Sequence, residues 1–443
     1  MRRIQHRRAA AWLAAAILVV SLATVAGSAS DWPAKQKPTN SLMHFEPSGI
    51  VWNPKDKSLY VVDDEGKIAR MDATGNNIRF WRVGDALDLE SLAVTGTSDF
   101  LYLGVENPPE IRELATGSMT LTGKTWRLTG MASDDKSGME ALTWVPNGSH
   151  PYADSTSGGV FYAGSQKDGM IYVFDVDLSQ TKPEADRVKL LGSFAPYAGP
   201  HKSDMSDLYF SPESGILYVL YDNANLLIEL DVSLKVPEQV ASYALPTKTD
   251  LQAQEGVTLL PNCPNGKTTM FLANDAPGGV YSFADFPLLC LKRLPVQADA
   301  TIAMAAPTQN FGSETTLTAD KSPVKDFVIQ LPSPPTPIAR ASLRLYVTAN
   351  AGPPKSCGTG PWAQQTQSTI NWTTAPACQS ALKNGPPKGE NNAWVAYDLT
   401  QSLPLYASYR FMASADNNKF VVQSTEAPSS PPYVLVWEGA PIP

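Results

Sequence analysis

The sequence predicts an all-β protein, a five- or six-bladed β-propeller followed by a β-sandwich of the jelly-roll kind. Two observations lead to this fold class. Short apolar strands recur at nearly regular intervals over residues 46–285, and a strand-rich segment of different composition follows Pro287. The 443 residues also include 37 Pro and 30 Gly, which favours many short strands and turns over long helices. A chain of this length is too long for one ordinary core, so at least two domains are expected.

The first thirty residues have the order of a secretory signal peptide. Four arginines come first, an apolar run over 9–26 follows, and small residues end the segment just before Asp31. The alternative is an uncleaved membrane anchor, and the small-residue end argues against it. We therefore predict a signal peptide at 1–30 and a secreted location, either extracellular or periplasmic. No later segment is apolar for long enough to span a bilayer, so the mature chain is expected to have no transmembrane span.

The four cysteines are expected to form two disulfides, because an even number in an exported chain indicates bridges. The pairs Cys263–Cys290 and Cys357–Cys378 are favoured, since each would then lie inside one proposed domain. A metal site is the weaker interpretation, because no C-x-x-C pair is present and no His is near any of them.

Charge excludes two classes of partner. The formal net charge is −8 and no basic stripe is present, so binding to nucleic acid or to an anionic membrane surface is not expected.

A repeat over residues 46–285 predicts a propeller domain at 31–290. Each unit opens with a Ser or Glu before a short apolar strand, and a second strand and usually a third follow. The five openings begin at Ser48, Glu90, Glu140, Ser206 and Glu255. Units of about 40–50 residues with three or four strands are typical of propeller blades. The longer third interval, or the segment before Ser48, leaves room for a sixth blade.

The segment 296–440 predicts the sandwich. It is rich in Thr, Ser, Ala and Pro, and it contains alternating strands such as Ala341–Val347, Trp394–Leu399 and Tyr433–Val436. About 145 residues of this kind suit two packed antiparallel sheets.

Four motifs in the repeat resemble the SdiA-regulated family of bacterial exported propellers. They read EPSGIVWNPKDKSLYVVDDEGKIARMD, GMEALTW, DMSDLYFSPESGILYVLYDNANLLIELD and QAQEGVTL. The resemblance covers about residues 44–286. It departs from the family at Asp207, where the family usually has Gly, and at an insertion around 146–157.

The C-terminal segment resembles the DNRLRE (disaggregatase-related) domain, a β-sandwich grouped with carbohydrate-binding modules. The motifs are ADATIAMAAPTQNFGSETTLT, IARASLRLYV, STINWTTAP with WVAYDLTQ, and SSPPYVLVW. Lys325–Ile329 replaces the family's usual Arg-containing strand. The resemblance implies attachment to a polysaccharide or to a cell-envelope glycan.

A first group of candidate residues would surround the propeller axis, because equivalent inner-strand residues of different blades meet there. Glu90, Glu140, Asp207 and Glu255 are the candidate metal ligands, with Asp204 nearby. A ring of carboxylates repels itself unless it is protonated or shares a cation, and Ca²⁺ is the cofactor that such oxygens would hold. Alternatively, each Glu accepts hydrogen bonds from the next blade and ties the blades together.

A second group follows the second strand of each unit and would form an acidic mouth. Its candidate ligand-binding residues are Asp63, Glu106, Asp222 and Asp275. Ordinary turn chemistry is the alternative, because Asp and Asn favour turns. In the sandwich, Trp362 lies in a Gly/Pro-rich loop and is the candidate surface aromatic for stacking on sugar. Trp372 and Trp394 are expected in the core.

Signals for catalysis are few. No G-x-S-x-G elbow is present, and His201 is a lone His near the axis. We therefore expect a secreted glycan-binding protein with a propeller that presents a ligand-binding face and holds Ca²⁺. Two alternatives stay open, a metal-dependent lactonase or phosphoesterase that acts through channel carboxylates, and a structural or adhesion protein that binds a partner protein.

Overall fold

The computed structural model describes most of the chain from residue 29 onward. The described ranges are 29–37, 42, 45–84, 87–96, 98–134, 136–180, 182, 184–197, 199, 205–246, 252–263, 265–276, 278–334, 337–350, 352–362, 366–386, 391–414 and 419–439. Nearly all of the signal peptide expected at 1–30 lies outside these ranges, as do the candidates His201 and Asp204.

The first domain consists of twenty strands and one short 3₁₀ helix, Glu184–Asp186, in the described ranges. The strands are β1 (Lys35–Lys37), β2 (Pro47–Asn53), β3 (Ser58–Asp63), β4 (Lys67–Asp72), β5 (Arg79–Arg82), β6 (Leu89–Val94), β7 (Phe100–Val105), β8 (Glu110–Ala115), β9 (Thr120–Arg127), β10 (Met139–Pro146), β11 (Gly159–Ser165), β12 (Ile171–Val176), β13 (Val188–Phe194), β14 (Met205–Ser211), β15 (Ile216–Tyr221), β16 (Leu226–Asp231), β17 (Glu238–Ala244), β18 (Gln252–Leu259), β19 (Lys267–Ala276) and β20 (Gly279–Pro287).

These strands form a five-bladed β-propeller. Each blade is a four-stranded antiparallel sheet, and the inner strands β2, β6, β10, β14 and β18 contact one another in a closed ring. The described segment before Ser48 forms no sixth blade. It supplies β1, which pairs with β20 as the outer strand of the fifth blade and so joins the first and last parts of the domain. The long third interval is accounted for by long loops within one blade.

Each contact between neighbouring blades has its own apolar core. Strand residues alternate between the two faces of a blade, and each face packs against the next blade. Tyr102, Trp126 and Phe161 fill the core between the second and third blades, while Tyr218, Phe283 and Phe286 fill the one between the fourth and fifth. The repeat in the sequence is therefore the repeat of these packing surfaces.

The second domain has eleven strands in the described ranges. They are β21 (Cys290–Pro295), β22 (Ala298–Ala303), β23 (Thr316–Lys321), β24 (Val324–Gln330), β25 (Ile338–Asn350), β26 (Lys355–Thr359), β27 (Lys383–Asn384), β28 (Ala393–Asp398), β29 (Ser408–Met412), β30 (Lys419–Gln423) and β31 (Tyr433–Glu438). The hydrogen-bonded order is β21-β31-β25-β30-β23-β24-β29-β26-β27, with β28 beside β25 and β22 beside β24.

This antiparallel sheet curls around one apolar core, so the domain is sandwich-like. Alternate residues of β25, among them Leu343 and Leu345, face Phe327 and Phe411 across the core, and the last two rings stack at 4.8 Å. The all-β fold class predicted from the sequence is confirmed. Within the described ranges no helix is long and apolar enough to cross a membrane.

Both predicted disulfides are present, but one of them joins the two domains. Cys357 pairs with Cys378 inside the second domain, as expected. Cys263 of the fifth blade pairs with Cys290, which is the first residue of β21 and lies opposite Glu438 in the second domain. The expectation that each bridge stays inside one domain is therefore wrong for this pair. The second domain begins before residue 296, because β21 is an edge strand of its sheet.

The outer face of the β25–β31 sheet contacts the fourth blade. The indole of Trp437 donates to the carbonyl of Ser214 at 2.9 Å, and the backbone N–H of Leu291 donates to the carbonyl of Glu213 at 2.9 Å. Arg344 forms an ion pair with Asp231 inside this contact. Apolar, hydrogen-bonded and ionic contacts thus hold the two domains against each other.

Candidate functional site

A β-bulge lies near the start of every inner strand of the propeller. The pairing with the second strand skips one residue in each blade, and the skipped residues are Ser48, Glu90, Glu140, Ser206 and Glu255. An extra residue in one strand of a pair redirects its side chain. The five openings found in the repeat are therefore five bulged residues around one axis.

The residue after the bulge is small in four of the five blades, where the inner strands approach closely, and these residues are Gly49, Ser91, Ala141 and Gly256. In the fourth blade the position holds Asp207. A Cβ added to Gly49 would lie 2.9 Å from the carbonyl oxygen of Glu90, and one added to Gly256 would lie 2.9 Å from a methyl carbon of Ile50. Neither position has room for a larger side chain without movement of the neighbouring blade. The small residue thus allows the ring to close, and the bulged residue before it carries the polar group.

A polar cavity of about 220 Å³ opens at this end of the axis, and we call it the acidic mouth. Its lining residues come from all five blades, and they are Glu46, Ser48, Asp64, Glu90, Glu140, Gln166, Met205, Ser206, Asp222, Glu255 and Asp275. This cavity therefore contains members of both candidate groups predicted from the sequence. The first group lies on the inner strands, and the second follows the second strand of each blade.

The acidic mouth concentrates negative charge without a matching cation. Seven of its lining residues are Asp or Glu, and none of the described lining residues is Lys, Arg or His. Burial, followed by the charges of Glu140 and Asp88, raises the pKa of Glu90 well above its ordinary value. Burial and the neighbouring Glu106 and Glu255 likewise raise the pKa of Glu140. The cavity therefore favours bound protons or a bound cation.

Three carboxylates near the mouth are arranged closely enough to hold a metal ion. Asp88, Glu90 and Glu106 each offer an oxygen, and these oxygens lie within 4.8 Å of one another. Glu106 also accepts a hydrogen bond from the backbone N–H of Gly138 in the next blade, at 2.9 Å. A donor set made only of oxygens suits a hard cation such as Ca²⁺ better than Zn²⁺, which is bound mainly through Cys and His.

Of the four expected metal ligands, only Glu90 belongs to this cluster. Glu140 and Glu255 line the mouth beside it, whereas Asp207 belongs to neither group. Its side chain is 1% exposed, and the position corresponds to the small residue of the other blades. Its carboxylate accepts hydrogen bonds from the backbone N–H groups of Leu208 at 2.8 Å and Val257 at 2.7 Å. Asp207 thus ties the fourth blade to the fifth. Hydrogen bonding between blades, which was the alternative for the glutamates, therefore describes this aspartate.

The second candidate group divides in a similar way. Asp222 and Asp275 line the acidic mouth, and Glu106 belongs to the carboxylate cluster beside it. Asp63 does not line the mouth. Its buried carboxylate accepts a hydrogen bond from the N–H of Lys67 at 2.7 Å and pairs with the same residue's ammonium group at 3.1 Å. Turn chemistry, the alternative interpretation, therefore describes Asp63.

The other end of the inner strands has the opposite character. A cavity of about 580 Å³ is lined there mainly by apolar and aromatic residues, including Trp52, Trp144 and Phe210. Glu213 is the only charged residue among its described lining, and its carboxylate accepts the backbone N–H groups of Asn262 and Cys263. Of the two ends of the propeller axis, the acidic mouth is therefore the one whose described lining is rich in charged groups.

Trp362 is not a surface aromatic, so the expectation that it is exposed for stacking on sugar is wrong. It is 4% exposed and packs with Ala300, Val328 and Ile370 in a small core beside the main one. Trp372 packs against the same core with the guanidinium of Arg410 above its ring at 4.8 Å, and Trp394 is half-buried. The loop composition around Trp362 did not reveal that the loop folds inward.

Several residues of the mouth, and Asp88 of the carboxylate cluster beside it, were not singled out from the sequence. Glu46 and Asp88 each lie two positions before a bulged residue, and Gln166 follows the second strand of its blade. The spacing to the bulged residue was the available signal for the two acidic residues. Among the described residues, no His lines the mouth. His150 is buried in the insertion of the third blade.

Two family models match the chain in successive segments. A model described as SdiA-regulated matches residues 31–262, and the model of carbohydrate-binding module family 96 matches residues 291–438. No curated protein matches the chain. The two matches follow the order of the two domains, and they confirm the resemblances drawn from the motifs. The second match supports binding to a carbohydrate partner.

Proposed function

The chain belongs to the SdiA-regulated family, and we propose that it is an exported glycan-binding protein whose propeller presents a Ca²⁺-holding acidic mouth. The observation that carries the proposal is the match of residues 291–438 to a carbohydrate-binding module. Two disulfides support export, because such bridges persist in oxidising compartments. The charged, apolar and small-residue order at the start of the chain supports it as well.

In this proposal Asp88, Glu90 and Glu106 hold the Ca²⁺ ion. Burial raises the pKa of Glu90 and of Glu106, so their ionised forms are costly without a partner of opposite charge. A divalent cation would remove that cost, and carboxylates of the mouth that do not bind the ion, such as those of Glu46 and Asp64, could accept hydrogen bonds from ligand hydroxyl groups. Both effects suit a face that binds a polar, uncharged ligand.

A metal-dependent hydrolase is the second candidate, and the position of Glu140 favours it. Its carboxyl contacts Glu106 of the candidate cation site, and its pKa is raised by burial. A carboxyl of this kind can exchange a proton near neutral pH beside a metal-bound water, which is the arrangement that metal-assisted hydrolysis needs. This alternative predicts an activity that is lost with the metal.

The test uses the full chain, because the two domains share buried contacts. Retention on a panel of soluble and insoluble polysaccharides is measured by affinity electrophoresis and sedimentation, and bound metal is measured by elemental analysis. We expect retention on at least one glycan and about one Ca²⁺ per chain. Failure to bind any glycan would overturn the proposal. Hydrolysis of a lactone or phosphate ester that stops on chelation would favour the second candidate.

A further inference from the structure

A polar cleft lies where the two domains meet, on the side away from the propeller axis. It has a volume of about 410 Å³, which is within the range of small-molecule sites (about 300–1,000 Å³). The fourth blade contributes Glu238 of β17, and the second domain contributes the rest. The lining residues are Glu238, Arg340, Ser342, Lys383, Asn384, Gly385, Ala396, Tyr397, Asp398 and Ser402, and we call this the interdomain cleft.

Ser342 gives the cleft a buried hydroxyl without a partner. It lies on β25 between Ala341 and Leu343, which face the core, so its own side chain faces the cleft. The residue is 2% exposed, and its Oγ has no hydrogen-bond partner in the described part of the chain. A buried polar group left unpaired costs about 1–3 kcal/mol. A ligand hydroxyl in the cleft would supply the missing partner.

The charges of the cleft balance one another. Arg340 and Lys383 are cationic, while Glu238 and Asp398 are anionic. Arg340 and Glu238 form an ion pair between the two domains, which fixes the guanidinium at the wall of the cleft. Two cationic and two anionic side chains give the lining no formal net charge, which favours a neutral ligand with many hydroxyl groups over a charged one.

Exposed apolar side chains occur close in sequence to residues that line the cleft. Five large apolar side chains are exposed in the described part of the chain, and three of them, Val236, Leu382 and Leu405, lie within three positions of a lining residue. Exposed apolar groups beside a polar cavity are typical of binding sites. A pyranose ring matches this combination, because it has hydroxyl groups around its edge and apolar C–H groups on its faces.

We propose that the interdomain cleft binds a neutral sugar unit of the glycan, with the hydroxyl of Ser342 and the ammonium group of Lys383 as hydrogen-bond donors to it. This inference rests on the proposed function, since it locates the glycan site and adds that both domains form it. The propeller then contributes to glycan recognition in the cleft through Glu238, which orients Arg340. This role is additional to that of the acidic mouth.

The test compares two variants with matched controls in the full chain. Ser342→Ala removes the unpaired hydroxyl, and Ser91→Ala makes the same change at another buried, unpaired hydroxyl in the second blade. Lys383→Ala removes an exposed cation of the cleft, and Lys189→Ala removes an exposed one in the third blade. The probes are dextran, xylan, galactomannan and mixed-linkage β-glucan, with pectin as the charged comparison.

We expect Ser342→Ala and Lys383→Ala each to weaken binding of a neutral glycan about five- to tenfold, the loss of one hydrogen bond in a closed site. Both controls should bind like the parent chain. The Tm of Ser342→Ala should be unchanged or higher, since no native hydrogen bond is removed.

If the chain binds a glycan and both cleft variants bind it as tightly as their controls, the cleft is not the site and only this inference fails. If the parent chain binds no glycan, the proposed function fails and this inference fails with it.

Discussion

The guanidinium of Arg344 lies 2.5 Å from the carboxylate of Asp231, across the contact between the two domains. Arg344 is 0% exposed and Asp231 is 1% exposed. Burial alone would raise the pKa of Asp231, but the charges of Arg344 and Arg340 outweigh it and hold this pKa below its ordinary value. The second domain therefore stabilises the ionised form of a propeller residue, which makes the two domains electrostatically dependent on each other.

Replacing Arg344 by Met should destabilise the chain strongly. The change leaves the carboxylate of Asp231 buried without a cation, and breaking a buried pair from one side costs about 3–5 kcal/mol. Urea unfolding measures the loss. Lys292→Met is the matched control, because Lys292 pairs with Glu438 at the surface and such pairs contribute about 0–1 kcal/mol. The double variant Arg344→Met, Asp231→Asn should regain part of the loss. A cost for Arg344→Met no larger than that of the control would contradict the structural role of this pair.

Removal of the Cys263–Cys290 bridge should loosen the junction between the domains. Its cysteines are 27 residues apart, and a closed loop of that length is worth about 3–4 kcal/mol in the chain-entropy description. The Cys263→Ser, Cys290→Ser variant should therefore unfold at lower urea and be cut faster by protease between residues 286 and 298. The Cys357→Ser, Cys378→Ser variant removes a bridge of similar span within the second domain and serves as control. Equal cutting of the junction in both variants would show that the first bridge does not hold the domains together.

Glu229 should make the stability of the propeller depend on pH. It lies on β16, is fully buried beside Tyr218 and Tyr243, and burial raises its pKa to about 8. The folded state then holds a proton that the unfolded state releases above about pH 4.5, so stability falls as pH rises from about 4.5 to 8. Above the folded pKa the loss is complete.

Unfolding by urea at pH 5 and at pH 8 tests this dependence. The Glu229→Gln variant cannot ionise, so its stability should change less between the two pH values than that of the parent chain. Glu184→Gln, at an exposed position in the third blade, should keep the dependence of the parent. A parent chain that is as stable at pH 8 as at pH 5 would mean that Glu229 is not held in its protonated form.

Calcium should stabilise the propeller through the acidic mouth. A ligand at one hundred times its Kd stabilises the folded state by about 2.7 kcal/mol, so the Tm should rise with Ca²⁺ and return on chelation. Glu90→Gln should remove most of this rise, because Glu90 belongs to the carboxylate cluster with Asp88 and Glu106. Glu314→Gln makes the same change at an exposed position of the second domain and should leave the rise intact. If Ca²⁺ leaves the Tm of the parent chain unchanged, the proposed function no longer includes a bound cation.

The strand rhythm and the order of the domains could be predicted from the sequence alone. Each of these follows from local chemistry: alternating apolar residues form strands, Gly and Pro form turns, and a repeat of about 50 residues forms a blade. The sequence also identified Glu90, Glu140 and Glu255 as members of one ring, because equivalent positions of a repeat meet around the axis. The number of blades stayed open between five and six, since the outer strand of the last blade comes from residues 35–37, far away in sequence.

Which polar residues share a site depends on how the strands and loops pack in three dimensions. Asp88 and Glu106 lie close to Glu90 because the bulge redirects the side chain of Glu90 and the loop after β7 places Glu106 beside it. The spacing of these residues in the sequence does not show where their side chains point. Asp207 is enclosed by closely packed inner strands, so its carboxylate accepts hydrogen bonds from two of them and links two blades. Trp362 became core because its loop folds onto a second small cluster. The contact of Arg344 with Asp231 joins positions 113 residues apart, and contacts of that kind arise from packing between domains, on which local sequence patterns carry no information.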